Sequence, residues 1–246
     1  MGKQTDSLPT TTAPSELPSY IQTASVGLGL DDTKGYGSMP ILKIVAGTSR
    51  AELQDEYGVG SIICDNVLLA KEGDPVMVRP ILFFPSWQKR KDKDDKSEGN
   101  FIVEEVFDRE HIVAKRAMAR QDEEYFEGSP YAYRHVDSYN FILQILEGEM
   151  KGQIVVVKMS LGNAQEAKSL NSYLQRRKID IFLNQMEMRS VRKTNGKEVW
   201  RVFSFQRPED MIDSYTPERE IDEARDLYEA FAKLHAGDIK TRGEDD

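Results

Sequence analysis

Two adjoining stretches decide the fold: QIVVVKMSLGNAQEAKSLNSYLQRR at residues 153–177 and IDIFLNQMEMRSVRKTNGKEVWRVFSFQ at residues 179–206. The first opens with a valine-rich run, residues 153–160, which is typical of a buried β-strand. A helix is predicted over the remainder, because Asn163 is a good N-cap and Glu166 completes a capping-box pair. Its apolar residues recur at helical spacing and form one face: Ala167, Leu170, Tyr173 and Leu174.

The second stretch predicts a β-hairpin. Residues 178–193 and 197–206 have strand-forming sequences, and Thr194, Asn195 and Gly196 join them. Asn-Gly between two strands is the strongest short hairpin signal, because both residues tolerate the backbone angles of a tight turn.

Two further strands are predicted upstream. Residues 76–87, VMVRPILFFPSW, form the first, where Pro80 and Pro85 favour an edge position or a sharp bend. Residues 131–148, YAYRHVDSYNFILQILEG, form the second.

The order strand, strand, strand, helix, strand, strand is that of an OB-fold with an insertion. The predicted class is mostly β with α elaborations (α+β): a five-stranded OB-fold barrel with a helix between strands 3 and 4, plus an insertion helix and a C-terminal helix.

The barrel is predicted to occupy residues 38–207. Residues 1–37 are rich in Thr, Ser, Pro and Gly and lack an apolar period, so they are predicted to form a flexible arm. An insertion at about 88–130 joins a charged loop to a helix over residues 104–126, with Asp108 as its N-cap.

A C-terminal helix is predicted within residues 208–236, with Thr216 as cap and Pro217 at its first position. Gly237 ends it, and residues 237–246 form an acidic flexible tail. The apolar stripe of this helix consists of Ile221, Ala224, Leu227, Tyr228, Phe231 and Leu234.

Composition excludes several classes of protein. No apolar run approaches the roughly 18 residues of a membrane helix, and the N-terminus lacks a signal-peptide pattern, so a cytoplasmic location is expected, in the host if the protein is from a phage. One cysteine and three histidines are too few for a recognisable zinc site, so neither metal nor cofactor is expected. Cys64 lies in an apolar string and is expected to be a buried structural thiol.

Charge is unevenly distributed along the chain. The formal net charge is −9, which opposes phosphate binding when taken as a sum. Residues 176–201 nevertheless hold eight basic and three acidic side chains, whereas residues 209–246 hold thirteen acidic and five basic ones. A basic region that includes the hairpin therefore offers a site for a nucleic acid.

Binding of single strands without sequence preference needs cations along the phosphate backbone and aromatic rings on which bases stack. The last two strands offer both, so the protein is predicted to bind single-stranded DNA without chemistry of its own. Alternating aromatic residues are also common in a strand core, and single basic residues are often only solvated charge. The candidate DNA-binding residues are Trp87, Lys89, Arg90, Tyr133, Arg176, Arg177, Lys178, Arg189, Arg192, Lys193, Lys197, Trp200, Arg201 and Phe203.

The acidic terminus suggests a second contact. Glu244, Asp245 and Asp246 could occupy the basic groove when DNA is absent, or be captured by basic pockets on partner proteins. The alternative is an ordinary solubilising terminus.

The two stretches quoted at the start resemble the C-terminal half of single-stranded DNA-binding proteins of tailed bacteriophages. PILKIVAGTS followed by FFPSW is also similar to such phage proteins. The resemblance covers about two thirds of the chain. It implies an OB-fold that coats single strands during DNA replication, recombination or repair, with an acidic C-terminus that recruits replication or recombination proteins.

Two other classes of function are open. Asp137, Glu149 and Lys151 have the spacing of a metal-dependent nuclease motif, although Glu149 and Lys151 lie between glycines as in a hairpin turn. A non-enzymatic phage structural or host-interaction protein would account for the flexible arm, the acidic helix and the negative net charge.

Overall fold

The computed structural model of the protein describes residues 39–91, 102–120, 133–208 and 212–242, with side chains in the last range up to residue 235. These residues form a mixed α+β structure, mostly sheet, so the predicted class is confirmed. The strands are β1 Leu42–Ile44, β2 Ile62–Cys64, β3 Val67–Ala70, β4 Val76–Lys91, β5 Ile102–Val106, β6 Tyr133–Ile145, β7 Ile154–Ser160, β8 Met186–Thr194 and β9 Val199–Gln206. The helices are α1 Ala51–Tyr57, α2 Ile112–Ala119, α3 Ala164–Arg177 and α4 Ile221–Arg242.

The main sheet has the order β7-β6-β4-β8-β9, and β5 also pairs with β4. Every pair in it is antiparallel. The predicted order of three strands, a helix and a hairpin is confirmed by β4, β6, β7, α3, β8 and β9. The register between β4 and β6 shifts between Pro80 and Leu82, next to the first of the two prolines.

The predicted five-stranded barrel is not confirmed, because the sheet is open. Closing the main sheet would require its end strands, β7 and β9, to pair, and they do not pair among the described residues. The amide of Phe203 in β9 instead donates to the side chain of Asn163 (2.8 Å), and the amide of Val156 in β7 donates to the carbonyl of Pro40 (2.8 Å). One amide of each edge strand is thus bonded to another partner, and the sheet is open.

A second sheet, β1-β2-β3, lies at the opening. Strand β1 contacts both β7 and β9, and Leu42, Ile62 and Cys64 are almost fully buried in the main core. Cys64 is the buried thiol that was expected, and its burial raises its pKa to about 11. The small sheet and α3 therefore enclose the core that a barrel would have enclosed by itself.

The opposite face of the main sheet is covered by α4. Its stripe buries Ala224, Leu227 and Phe231 against Ile81, Ile142, Ile154, Val156 and Phe182. The apolar stripe predicted for this helix therefore packs on the main sheet. The helix continues to Arg242, so it does not end at Gly237 as predicted.

The insertion differs from its prediction. The predicted helix over 104–126 contains strand β5 at its start, because this segment pairs with β4 and the carboxylate of Glu105 accepts hydrogen bonds from Ser86 and Gln88. Helix α2 begins only at Ile112, and its cap is His111, whose Nδ1 accepts from the amide of Val113. Asp108 is not the cap.

Two other predicted caps have different roles. Asn163 makes no cap bond to α3, because its side chain binds the edge of β9. Thr216 donates to the carbonyl of Phe182 and accepts from Arg79, both in the interior. The flexible arm, most of the charged loop, the end of the insertion and the acidic tail (Glu244, Asp245 and Asp246) lie outside the described residues.

Candidate nucleic-acid interface

Two of the predicted aromatic residues are core residues. Phe203 is 4% exposed and packs in the main core, and Trp87 is 7% exposed beneath α2. Neither ring has a free face for a base, which corrects their assignment to a stacking surface. The alternation of residues along β9 did not reveal this, because Val202 on the opposite face is also buried.

Trp200 is half-buried at the edge of the sheet. Its ring lies on Gly162, where an added Cβ would approach the indole Cδ1 to 3.1 Å. The indole Nε1 is shielded from water and finds no hydrogen-bond acceptor among the described residues. Trp200 is therefore held by the turn Leu161–Asn163, which follows β7 and precedes α3.

The basic side chains of the β8–β9 hairpin fall into two groups. Arg201 is paired with Glu72 (2.9 Å), Arg189 with Glu187 (2.6 Å) and Lys193 with Glu166 (3.1 Å). No ion pair within the described residues involves the exposed side chains of Arg192 and Lys197. The positive charge available to a ligand at the hairpin tip therefore comes chiefly from these two.

The turn falls at the predicted Asn-Gly pair, but it spans residues 195–198 and not 194–196, because Thr194 still pairs with Val199. The Asn195 side chain accepts from the amides of Lys197 (3.0 Å) and Glu198 (2.8 Å), and Gly196 has a φ of +87°. Asn at the first position and Gly at the second are suited to this geometry, which keeps Arg192 and Lys197 at the end of the hairpin.

Lys89, Arg90 and Tyr133 lie where β4 pairs with β6. The Lys89 ammonium is 4.3 Å from the centroid of the Tyr133 ring, a cation–π contact. Arg90 donates to the Ser160 hydroxyl (3.1 Å), and burial lowers the pKa of its guanidinium, against the opposing effect of Glu105.

Arg90 and Trp200 thus contact one short segment. Arg90 binds Ser160 at the end of β7, and Trp200 lies on Gly162, two residues later. These contacts bring two predicted site residues that are far apart in the sequence to one segment. We call the surface around this segment the turn surface: Arg90, Leu161, Gly162 and Trp200. Arg192 and Lys197 lie at the adjoining hairpin tip, with Arg192 on the strand face opposite Trp200.

The remaining predicted cations lie at the other end of α3. This helix has 14 residues and is about 20 Å long. Arg176 bonds the carbonyl of Ser172 (3.1 Å), and Lys178 is the C-cap with a φ of +54°. Arg177 is half-buried, donates to the Tyr173 hydroxyl (2.5 Å) and stacks on Tyr215, 4.5 Å from the ring centroid.

Tyr173, Phe205, Arg207 and Tyr215 were not among the predicted site residues. A cavity of about 250 Å³ between α3 and the strands is lined in part by Tyr173, Phe205 and Arg207, and Tyr215 stands beside Arg177 with 43% of its surface exposed. The spacing of Tyr173 and Arg177, four residues apart on a helix, was a usable sequence signal. No sequence signal pointed to Arg207 and Tyr215, since only the fold brings them to α3.

A family model described as Pam3 phage gp34-like protein matches residues 38–237. The chain belongs to this family. The phage origin predicted from the sequence resemblance is therefore confirmed. No curated protein and no solved structure matches the chain.

The nuclease residues do not meet in this gp34-like family member. Asp137 lies on β6, where it faces Lys168 (4.0 Å), whereas Glu149 and Lys151 lie in the turn beyond the other end of that strand. Eight strand positions separate Asp137 from Ile145, about 26 Å. Among the residues that the structure describes, no group of three His, Cys, Asp or Glu is placed to hold a metal ion.

The described helices of this gp34-like chain include none that is long and apolar enough to cross a membrane.

Proposed function

We propose that this phage protein binds single-stranded DNA without strong sequence preference during DNA replication, recombination or repair in the host cytoplasm, and that it does no chemistry on the strand. The convergence of Arg90 and Trp200 on the segment Ser160–Gly162 carries the proposal. An aromatic ring and a cation on one surface are the pair of features that sequence-tolerant binding of single strands requires.

The turn surface and the adjoining hairpin tip together supply the two requirements. Trp200 presents a ring at the sheet edge, while Arg192 and Lys197 carry charge at the hairpin tip. Stacking of a base on an aromatic side chain is worth about 1–3 kcal/mol, and phosphate contacts by cations add a salt-dependent contribution.

We further propose that the main sheet is a variant of the OB-fold. An OB-fold is a partly open five-stranded Greek-key barrel. The five long strands β4, β6, β7, β8 and β9 have the required helix between the third and the fourth, and an open side between β7 and β9. The small β1-β2-β3 sheet at that opening is an addition to the fold.

The experiment is fluorescence anisotropy of a labelled oligo-dT of about 30 nucleotides, at low and high salt, against a matched duplex. We expect salt-sensitive binding of the single strand and weaker binding of the duplex. Trp200→Ala should weaken binding by about 1–3 kcal/mol, roughly 5- to 150-fold, because the stacking ring is removed. Trp200→Phe should restore most of the affinity.

Val199→Ala is the matched control, since Val199 is the neighbouring residue of β9, 49% exposed and on the opposite strand face. Thermal unfolding of each variant shows whether the packing of Trp200 on Gly162 matters to stability. Absence of single-strand binding at low salt, by the wild-type chain, would rule out the proposal.

A second candidate function, interaction with a basic segment of a phage or host protein, is favoured by one observation. A cleft of about 730 Å³ lies between the end of β6, the start of α4 and the strand β8, with the buried Arg79 in its lining. Its acidic lining residues are Glu147, Glu187, Asp213, Glu220 and Glu223. This acidic lining suits a cationic partner, and failure of the anisotropy experiment would favour this function.

A further inference from the structure

Two arginines at the C-terminal end of α3 have donor groups that lack an acceptor. The Nη2 atoms of Arg177 and Arg207 are shielded from water and make no hydrogen bond to any described residue. A guanidinium has five N–H donors and no acceptor. Arg177 uses Nη1 on the Tyr173 hydroxyl, and Arg207 uses Nε on the Ser214 hydroxyl (3.2 Å). Groups of this kind are normally satisfied in proteins, so each Nη2 indicates a missing acceptor.

The two guanidinium groups contact adjacent residues of the segment that follows β9. Arg177 stacks on Tyr215, and Arg207 bonds the preceding residue, Ser214. Tyr173, to which Arg177 donates, also lines the 250 Å³ cavity together with Arg207. The two arginines therefore approach the same corner of the fold, from the end of α3 and from the residue after β9.

Among the described residues, two carboxylates are close enough in the fold to be considered as the missing acceptor, and neither supplies it. Glu166 lines the same cavity, but it lies at the other end of α3 and is paired with Lys193 (3.1 Å). Asp213 precedes Ser214, yet it lines the acidic cleft. Neither carboxylate accepts a hydrogen bond from the Nη2 atom of Arg177 or Arg207.

The chemistry of the missing acceptor follows from the donors. Guanidinium groups bind phosphate and carboxylate oxygens through parallel N–H bonds, and two of them favour a group with several acceptor oxygens. Tyr215 beside them is 43% exposed and offers a ring to a base or sugar attached to such a group. A phosphate ester of a nucleic acid combines both parts.

We propose that Arg177 and Arg207 hold one backbone phosphate of a bound strand, an inference that rests on the proposed function. These two arginines, called the phosphate pair below, lie about 20 Å along α3 from the turn surface, a distance that a single strand of several nucleotides can span. Site sizes of about 4–16 nucleotides are usual for one OB-fold. The strand is then held at both ends of α3.

The test compares the wild type with Arg177→Gln/Arg207→Gln and with the control Arg225→Gln, which removes an exposed arginine paired with Asp222 on α4. Oligo-dT affinity is measured by anisotropy from low to high salt. For single strands the slope of log affinity against log salt falls by about 0.7 for each phosphate that the protein no longer neutralises. We expect this fall, and about tenfold weaker binding at low salt, for the double variant only.

A second measurement uses inorganic phosphate alone. Thermal unfolding of the wild type with millimolar phosphate, against sodium chloride at equal ionic strength, should show a rise in Tm that is absent from the double variant. Arg177→Lys/Arg207→Lys keeps the charge without the planar fork and should restore only part of the affinity.

The two proposals fail in different ways. Single-strand binding with an unchanged salt slope in the double variant overturns the phosphate pair and leaves the proposed function in place. A phosphate-dependent Tm rise in a chain that binds no oligo-dT supports the anion site and overturns the proposed function, with free phosphate or a phosphate ester as the ligand. A lower Tm of the double variant without a change in slope also overturns the phosphate pair, since the arginines would then be structural.

Discussion

At the scale of single residues, Glu105 on β5 is held by donors from three side chains. Its carboxylate accepts hydrogen bonds from Ser86 (2.7 Å), Gln88 (3.0 Å) and Lys158 (2.8 Å). Burial by itself raises the pKa of Glu105, but the three donors outweigh burial, and the pKa is held below its ordinary value. The carboxylate thus links β5, β4 and β7 across one face of the sheet.

The lowered pKa of Glu105 predicts a pH dependence of stability. A carboxyl whose pKa is lower in the folded state stabilises the fold above its unfolded pKa, and this contribution is lost as the pH falls through the folded pKa. Glu105→Gln should therefore reduce the free energy of unfolding by about 1–3 kcal/mol at pH 7 and flatten its decline under acidic conditions. Urea unfolding between pH 3 and pH 7 measures both.

Glu104→Gln is the control for this prediction. Glu104 is the adjacent residue of β5 on the opposite face, and its side chain is 43% exposed. Its replacement should change stability by less than about 0.5 kcal/mol. Equal effects of the two substitutions would contradict the role given to Glu105.

At the scale of elements, α4 is attached to the main sheet by an apolar stripe and by one buried ion pair. Arg79, which is 1% exposed, pairs with Glu220 and donates to Gln144 (2.7 Å) and Thr216 (3.1 Å). These bonds position the start of α4 over β4 and β6. Along the helix, Phe231 is buried whereas Leu234 on the same predicted stripe is 43% exposed.

Replacing Phe231 with alanine should destabilise the protein by about 3–5 kcal/mol, because a fully packed aromatic ring leaves a cavity between α4 and the sheet. Leu234→Ala should cost less than about 1 kcal/mol, since that side chain is half in water. Thermal or urea unfolding of both variants measures the difference. Similar effects at the two positions would mean that α4 does not pack as described.

At the scale of the whole molecule, an acidic protein carries a locally basic surface. The net charge is −9, yet Arg192 and Lys197 extend from the hairpin tip without ion pairs to any described residue. The acidic cleft near Arg79 lies toward the other end of β8, since it includes Glu187. This separation lets a polyanion approach the hairpin although the chain as a whole repels it.

Arg192→Gln/Lys197→Gln should therefore weaken oligo-dT binding and lower the salt slope by about 1.4, the value for two phosphates on a single strand. Lys233→Gln replaces a lysine of α4 on the far side of the sheet and serves as the control for removal of one positive charge. Anisotropy titrations at several salt concentrations give the slopes. A slope in the double variant that matches the control would place the strand elsewhere.

The sequence by itself determined helix α3, the position of the hairpin turn at Asn195 and Gly196, the apolar stripe of α4 and the long strands. The start of β8 is the exception, because Ile181–Leu183, predicted as strand, form a 3₁₀ turn. Each feature determined in this way depends on local periodicity or on turn chemistry that acts within a few residues. The phage origin was also readable, because the resemblance was carried by contiguous motifs.

Only the tertiary structure decided which of the aromatic and basic residues form a surface. Phe203 and Trp87 are buried by elements distant in sequence, and Arg201 is paired with Glu72. The local sequence around each residue therefore did not reveal whether its side chain is available to a ligand. The open form of the sheet was likewise not predictable from the sequence, since it depends on long-range bonds. Asn163 accepts from an amide of β9, and Pro40 accepts from an amide of β7. Burial, ion pairing and edge hydrogen bonds join residues far apart in the chain, and no local pattern encodes such long-range interactions.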